Sequence, residues 1–346
     1  MGTVEPRGHE GEATHDDEEL RRWLQDEIAA RLRTGTKIVA LRRRPASEHS
    51  SHRCEVVTLQ WDGGETTDVF LKDCASSSLL KDDLPACRER ELRVYRDVLV
   101  DADLGTPRYH GSLWNESPPR FVLALEFVPG DRLHWCDQDS LVAAAAWLGR
   151  MQAYFLRHPM RSGPTPFLTR HDSEFFRSYA ARATRAVSEV FPSLGGRLAE
   201  DVAGYDRFIA IMTRGPVTLV HGSFRKSHVL VGTVPDGIRV CPIDWEQAAL
   251  GSPLYDLAFI TDGCDPLLLK RMCGAYRDAL AMHGAPPPDE EEMQRLLPCF
   301  HLHKILLALS RSKDWGYKEK NVHRLVESAR NLVRTLADRT SGGWLA

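Results

Sequence analysis

The segment LVHGSFRKSHVLVGTVPDGIRVCPIDWE, residues 219–246, limits the fold more than any other part of the chain. Val217–Val220 is a short apolar run that ends at His221-Gly222. Val229–Val231 is β-branched and apolar and reads as a strand. Pro235-Asp236-Gly237 is a turn with a mechanism: proline presets φ, aspartate can bond its own backbone, and glycine tolerates positive φ. Ile238–Ile243 is the return strand. The hairpin thus carries His228 at the start of one strand and Asp244 just past the end of the other. Antiparallel pairing brings those two ends together. Taken singly, each is an ordinary polar residue at a hydrated hairpin end. Taken as a pair, an imidazole and a carboxylate at one hairpin mouth can share a divalent cation.

The chain on either side has two characters. Glu18–Arg33 has helical spacing of Leu20, Trp23, Leu24, Ile28 and Leu32. Strand signals follow at Ile38–Leu41, Glu55–Trp61 and Thr67–Lys72, with a polar loop over Arg44–Arg53 and a turn at Asp62-Gly63-Gly64. Leu84–Leu99 reads as an amphipathic helix, and Thr106–Leu113 and Phe121–Phe127 as two more strands. Residues 36–130 therefore predict a five-stranded sheet with one inserted helix, and Pro129-Gly130 a hinge. Beyond it the pattern is helical: Ser140–Arg157, Ser173–Val190, Leu194–Thr213, Pro266–His283, Asp289–Ser312 and Asn321–Arg339. The fold class expected is α+β, with a flexible tail over 1–17, a β-rich lobe over 18–130 and a helical lobe over 131–346.

Composition narrows the partners. Of 346 residues, 42% are hydrophobic, enough for a substantial core. A net charge of −3 gives no reason to expect nucleic acid or a membrane surface as partner. No apolar run reaches transmembrane length. The eight cysteines contain no C-x-x-C pair and sit mostly in apolar contexts, so they read as reduced thiols of a cytoplasmic protein.

Several residues can carry chemistry. Lys72 ends the strand Val69-Phe70-Leu71-Lys72, where an ammonium group can neutralise phosphate oxygens. Glu91 is the carboxylate expected to hold it for ATP, with Glu89 as the alternative. Backbone groups of Glu126 and Val128 can bond the edge of an adenine. Asp244 would bind magnesium, with Glu246 as a second-shell or second-metal group. Arg225 and Lys226 can neutralise a transferring phosphoryl group, although two loop cations are as often simply solvated. Asp256 reads equally as a brace for the loop at His221 or as a helix N-terminal aspartate. The run Asp289-Glu290-Glu291-Glu292 is read as helix capping rather than as a trap for cations.

In this order, Lys72, Arg90–Tyr95, Leu125–Gly130, His221–His228, Ile243–Glu246 and Tyr255–Ala258 resemble the aminoglycoside phosphotransferase and choline kinase-like superfamily. The resemblance runs from about Thr36 to the C-terminal helices. It implies a two-lobed protein kinase-like fold and γ-phosphoryl transfer from ATP to a hydroxyl of a small molecule or peptide. Antibiotic resistance and natural-product biosynthesis are the settings that it brings with it. Lys72 matches the phosphate-binding lysine, Glu91 its helix partner, Asp244 the main metal ligand and Asp256 the aspartate that supports the loop. His228 falls where the family keeps a metal-binding asparagine. Macrolide phosphotransferases look similar there, and histidine favours tolerance of Mn2+ beside Mg2+. The acceptor would meet residues 164–211 and the C-terminal helices, with Trp315 and Tyr317 as candidate wall residues.

Ser223 is the main departure, because the family's catalytic-base aspartate belongs at that position. A hydroxyl does not take a proton near neutral pH as a carboxylate does, but it can orient a nucleophile. Transfer through a loose transition state depends chiefly on positioning and charge neutralisation. Two expectations follow: a phosphotransferase with Ser223 and Arg225 at the reacting centre, or a catalytically impaired pseudokinase that serves as a scaffold for nucleotide or a protein partner.

Overall fold

The computed structural model describes residues 15–29, 31, 36–46, 51–117, 119–159, 165–235 and 237–341. Most of the expected tail, part of the Arg44–Arg53 loop, Pro164 and Asp236 of the hairpin turn lie outside them. The architecture is α+β and divides into two compact units. One comprises residues 1–78 and 108–127, the other 79–107 and 128–346.

The first unit is a five-stranded antiparallel sheet. Its strands are β1 (Ile38–Pro45), β2 (Arg53–Trp61), β3 (Thr66–Asp73), β4 (Tyr109–Glu116) and β5 (Pro119–Glu126), in the order β1-β2-β3-β5-β4. Helix α1 (His15–Leu24) continues into one π-helical turn, Gln25–Ala29, and seals one face. Leu24 and Ile28 meet Val57, Leu59, Trp61, Val69 and Leu71 from alternate positions of β2 and β3, and all of these are buried. The period-2 pattern therefore sets which sheet face the helix covers. Lys72 is 5% exposed and lies opposite Cys54 on β2 and Leu123 on β5.

The second unit is mainly helical. Its helices are α2 (Leu84–Arg93), α3 (Gln138–Arg157), α4 (Ser173–Val190), α5 (Pro192–Asp201), α6 (Asp206–Met212), α7 (Leu254–Thr261), α8 (Pro266–Met282), α9 (Glu290–Ser310) and α10 (Glu319–Ser341). Five begin the same way: Asp83, Asp137, Asp172, Asp265 and Asp289 each accept first-turn amide protons. Those bonds satisfy donors that the helix itself leaves orphaned. Asp289 is thus the cap of α9, as its acidic run implies. Helix α3 packs so closely on α8 that a Cβ at Gly149 would collide with the Tyr276 carbonyl oxygen.

One helical expectation is corrected. Residues 194–213 read as one helix, but the chain breaks into α5 and α6 through a turn at Val202–Tyr205. Gly204 weakens the helix there, and Tyr205 turns inward to place its hydroxyl 3.4 Å from His303 Nδ1. Helix α7 carries no amphipathic signal, because all eight of its residues are buried.

Short strands frame the loop that follows. β8 (Thr218–Val220) pairs with β11 (Ala249–Gly251), which also pairs with β7 (Thr169–Arg170). The expected hairpin is β9 (Val229–Val234) with β10 (Gly237–Pro242), and β6 (Asp131–Arg132) joins its other edge. All eight cysteines are free thiols.

Candidate functional site

The site grows out of the loop between β8 and β9. Its first fixed point is Asp256 on α7, which is fully buried. Its carboxylate accepts the His221 amide proton at 2.6 Å and the Gly222 amide proton at 3.0 Å. Burial pushes its pKa up to about 7, against the opposing pull of the two amides. Gly222 has φ 76°, and a Cβ there would strike the Gln247 carbonyl oxygen. Only glycine fits that approach.

The second fixed point is the His221 side chain, also fully buried. Nε2–H donates to the Ile243 carbonyl at 2.9 Å, and Nδ1 accepts the Ser223 amide proton at 3.3 Å. One neutral ring thus ties the loop at Ser223 to the strand end that delivers Asp244. Burial, reinforced by nearby His228, pushes its pKa down to about 3.

The Ser223 carbonyl in turn accepts the Arg225 amide proton at 2.7 Å and His228 Nδ1–H at 2.9 Å. Both polar backbone atoms of Ser223 are therefore engaged, which fixes the loop backbone at this residue. The hairpin brings His228 and Asp244 together: the Ile243 amide donates to the His228 carbonyl, and His228 Nε2 lies 3.7 Å from Asp244 Oδ2. Burial lowers the His228 pKa, with Asp244 pulling the other way. Because Nδ1 carries the proton, Nε2 presents a lone pair to a carboxylate oxygen. Two acceptors face each other at a spacing that suits a cation between them. Asp244 is also the sole non-glycine residue with positive φ (68°) among the described residues. A backbone conformation of that kind is held by its surroundings.

Helix α2 supplies a third carboxylate. Glu91 is 2% exposed, whereas Glu89 is exposed and pairs with Arg93. The inward-facing member of the pair is therefore Glu91. Ligand-capable atoms of Glu91, Asp244 and Glu246 all lie within 4.8 Å of one another. Glu246 is also bonded by Lys81, and its carbonyl accepts from Arg90 at 2.5 Å. Arg90 continues to the Phe167 carbonyl at 2.9 Å. Lys81 had no sequence signal, since it sits in a Ser- and Asp-rich loop. The bridging role of His221 was equally hidden, because its partners are backbone atoms.

Other expected residues lie as follows. The guanidinium of Arg225 sits over the Phe259 ring at 5.9 Å, and Lys226 Nζ is 3.9 Å from Cys264 Sγ. In the first unit, the Glu126 amide donates to the Arg108 carbonyl at 2.8 Å. Val128 is buried at the start of the second unit's helical segment.

A model of the phosphotransferase enzyme family matches residues 42–295. Similar solved structures include a microcompartment-associated aminopropanol kinase, at TM-score 0.60 and 19% identity, covering 88% of this chain and 94% of that one. The GDP and kanamycin complex of an aminoglycoside phosphotransferase aligns at TM-score 0.56 and 16% identity, covering 88% and 98%. A macrolide 2'-phosphotransferase from Brachybacterium faecium aligns at TM-score 0.52 and 19% identity, covering 91% and 98%. These likenesses establish a shared kinase-like fold. No curated protein sequence matches the chain. Among the described residues, no helix is long and apolar enough to cross a membrane.

Proposed function

The chain belongs to the phosphotransferase enzyme family, and on that premise we propose that it transfers the γ-phosphoryl group of ATP to a hydroxyl acceptor. The observation that carries this reading is the facing pair His228 Nε2 and Asp244 Oδ2, 3.7 Å apart beside a loop locked at Ser223. Those two residues would hold Mg2+, or Mn2+ in its place. The ion would neutralise phosphate oxygens when bound. Lys72 would neutralise phosphate charge, with Glu91 setting its position. The Glu126 carbonyl and the Val128 amide would receive the base, since the Glu126 amide is already committed to Arg108. The same proposal divides the work at Gly130, with nucleotide on residues 18–130 and acceptor on residues 131–346, in a cytoplasmic protein.

At the reacting centre Ser223 orients the acceptor hydroxyl by hydrogen bonding. Arg225 offsets the negative charge of the phosphoryl group in flight. The acceptor oxygen forms the new P–O bond as the bond to the ADP oxygen breaks, and the hydroxyl proton leaves to solvent or to a base on the substrate. General-base assistance contributes ~10²–10⁴-fold, so a serine enzyme is slowed rather than silenced. The test is acceptor-dependent ADP release in the presence of Mg2+, which Asp244→Asn should abolish. Equal ADP release by wild type and variant would refute the assignment. Ser223 also motivates a second reading, a nucleotide-binding scaffold. That reading predicts ATP-induced thermal stabilisation with no ADP release under any acceptor.

A further inference from the structure

Near Arg225 and Lys226, which follow Ser223 in the chain, the second unit carries more cations than one phosphoryl group uses up. Arg225 lies within electrostatic reach of Arg311, just past the end of α9, and Lys304 on α9 lies within reach of Arg225 and Lys226; Arg182 on α4 and Arg311 both act on Asp82. Arg225 and Lys304 share one ring, with Phe259 5.9 Å from the first and 5.4 Å from the second. Arg311 stands 5.2 Å from the Trp315 ring.

Two carboxylates serve this set, and each is already bonded. Asp82 pairs with Arg182, and Asp262 accepts from Lys304 Nζ at 2.9 Å. Among the described residues, no carboxylate lies within ion-pair distance of Arg225, Lys226 or Arg311. All three are half-buried, so water compensates their charge only in part. Burial together with Arg311 pushes the Arg225 pKa below its ordinary value, and burial with Arg225 and Lys226 does the same to Lys304. If Arg225 serves the phosphoryl group, Lys226, next to it in the chain, and Arg311, within its electrostatic reach, remain as half-buried cations.

We propose that the acceptor is an anion, a hydroxyl compound bearing a carboxylate or phosphate, and that Arg311 and Lys226 receive its charged group. This rests on the phosphotransferase reading and sharpens it to a substrate class. A guanidinium offers paired donors to a planar carboxylate or a phosphate, and the ammonium adds a point charge. A polyamine acceptor would instead meet like charge from both.

The test begins with protein shown by calorimetry to bind ATP and Mg2+, so that a failed phosphotransferase reading is seen first and separately. The loaded protein is then titrated with glycerol 3-phosphate and glycerate as anionic probes, glycerol as the neutral probe, and kanamycin as the cationic one. The expected result is binding of an anionic probe alone, weakened about tenfold or more by Arg311→Gln and weakened by added salt. Lys313→Gln, which removes an exposed lysine paired with Glu189, should leave that binding unchanged. Three results overturn the proposal while leaving the phosphotransferase reading intact: no anion binding by ATP-loaded wild type, anion binding indifferent to Arg311→Gln, or preference for kanamycin. Carboxylate and phosphate sources are told apart by which of the two anionic probes binds.

Discussion

Replacing His221 by phenylalanine removes the ring that joins the Ser223 loop to the strand end carrying Asp244. The variant keeps an aromatic body against Trp245, whose ring centroid lies 4.5 Å from that of His221. It leaves the Ile243 carbonyl and the Ser223 amide without their partners. Each buried polar group left unsatisfied costs about 1–3 kcal/mol, so the variant should lose about 2–6 kcal/mol at pH 8. The pH dependence separates this from mere steric damage. In the unfolded chain the imidazole titrates at its ordinary value of 6.5, whereas in the fold it stays neutral down to about 3. Its stabilising share is therefore complete above pH 6.5 and is lost as pH falls toward 3. At pH 5.5 the wild type should have given up about 1.4 kcal/mol through this residue, and phenylalanine has nothing to give up. Urea unfolding of both proteins at pH 8 and pH 5.5 reads the difference, and titrations common to both cancel. A gap that is the same at the two pH values would refute the burial of His221 as a neutral ring. A loss at pH 8 below about 0.5 kcal/mol would refute the bridging role.

Two further outcomes follow from the same loop. Gly222→Ala should lower unfolding stability by at least about 2 kcal/mol, since alanine resists φ 76° and its Cβ must displace Gln247; a fully stable variant by urea titration would contradict the glycine requirement. Ser223→Asp should raise acceptor-dependent ADP release, up to about 10²–10⁴-fold. An unchanged rate with ATP still bound would remove Ser223 from the transfer step.

The legibility of the site follows from how local its physics is. The placement of His228 against Asp244 was readable because a hairpin converts sequence order into proximity through backbone pairing alone. Glu91 could have been preferred over Glu89 more firmly. It lies four residues after Cys87 and four before Tyr95, both buried, and so falls on the inward stripe of its helix. Asp256 was readable only as one of two alternatives, since a first-turn aspartate is common and its partners lie 34 and 35 residues away. The cations Lys304 and Arg311 come from elements far in sequence from Arg225, and nothing in their neighbourhoods announces that each comes within its electrostatic reach. Helix α7 was silent for the opposite reason: burial on every side removes the contrast from which periodicity is read.

With Asp244 and His228 as its ligands, a divalent cation should control nucleotide binding. Isothermal titration of ATP into wild type and Asp244→Asn, each with Mg2+ and with EDTA, tests it most directly. Mg2+ should tighten ATP binding to the wild type, and this gain should disappear in the variant, whose weaker metal-free binding persists. A wild type that binds no ATP, or a variant that keeps the full Mg2+ gain, would contradict it.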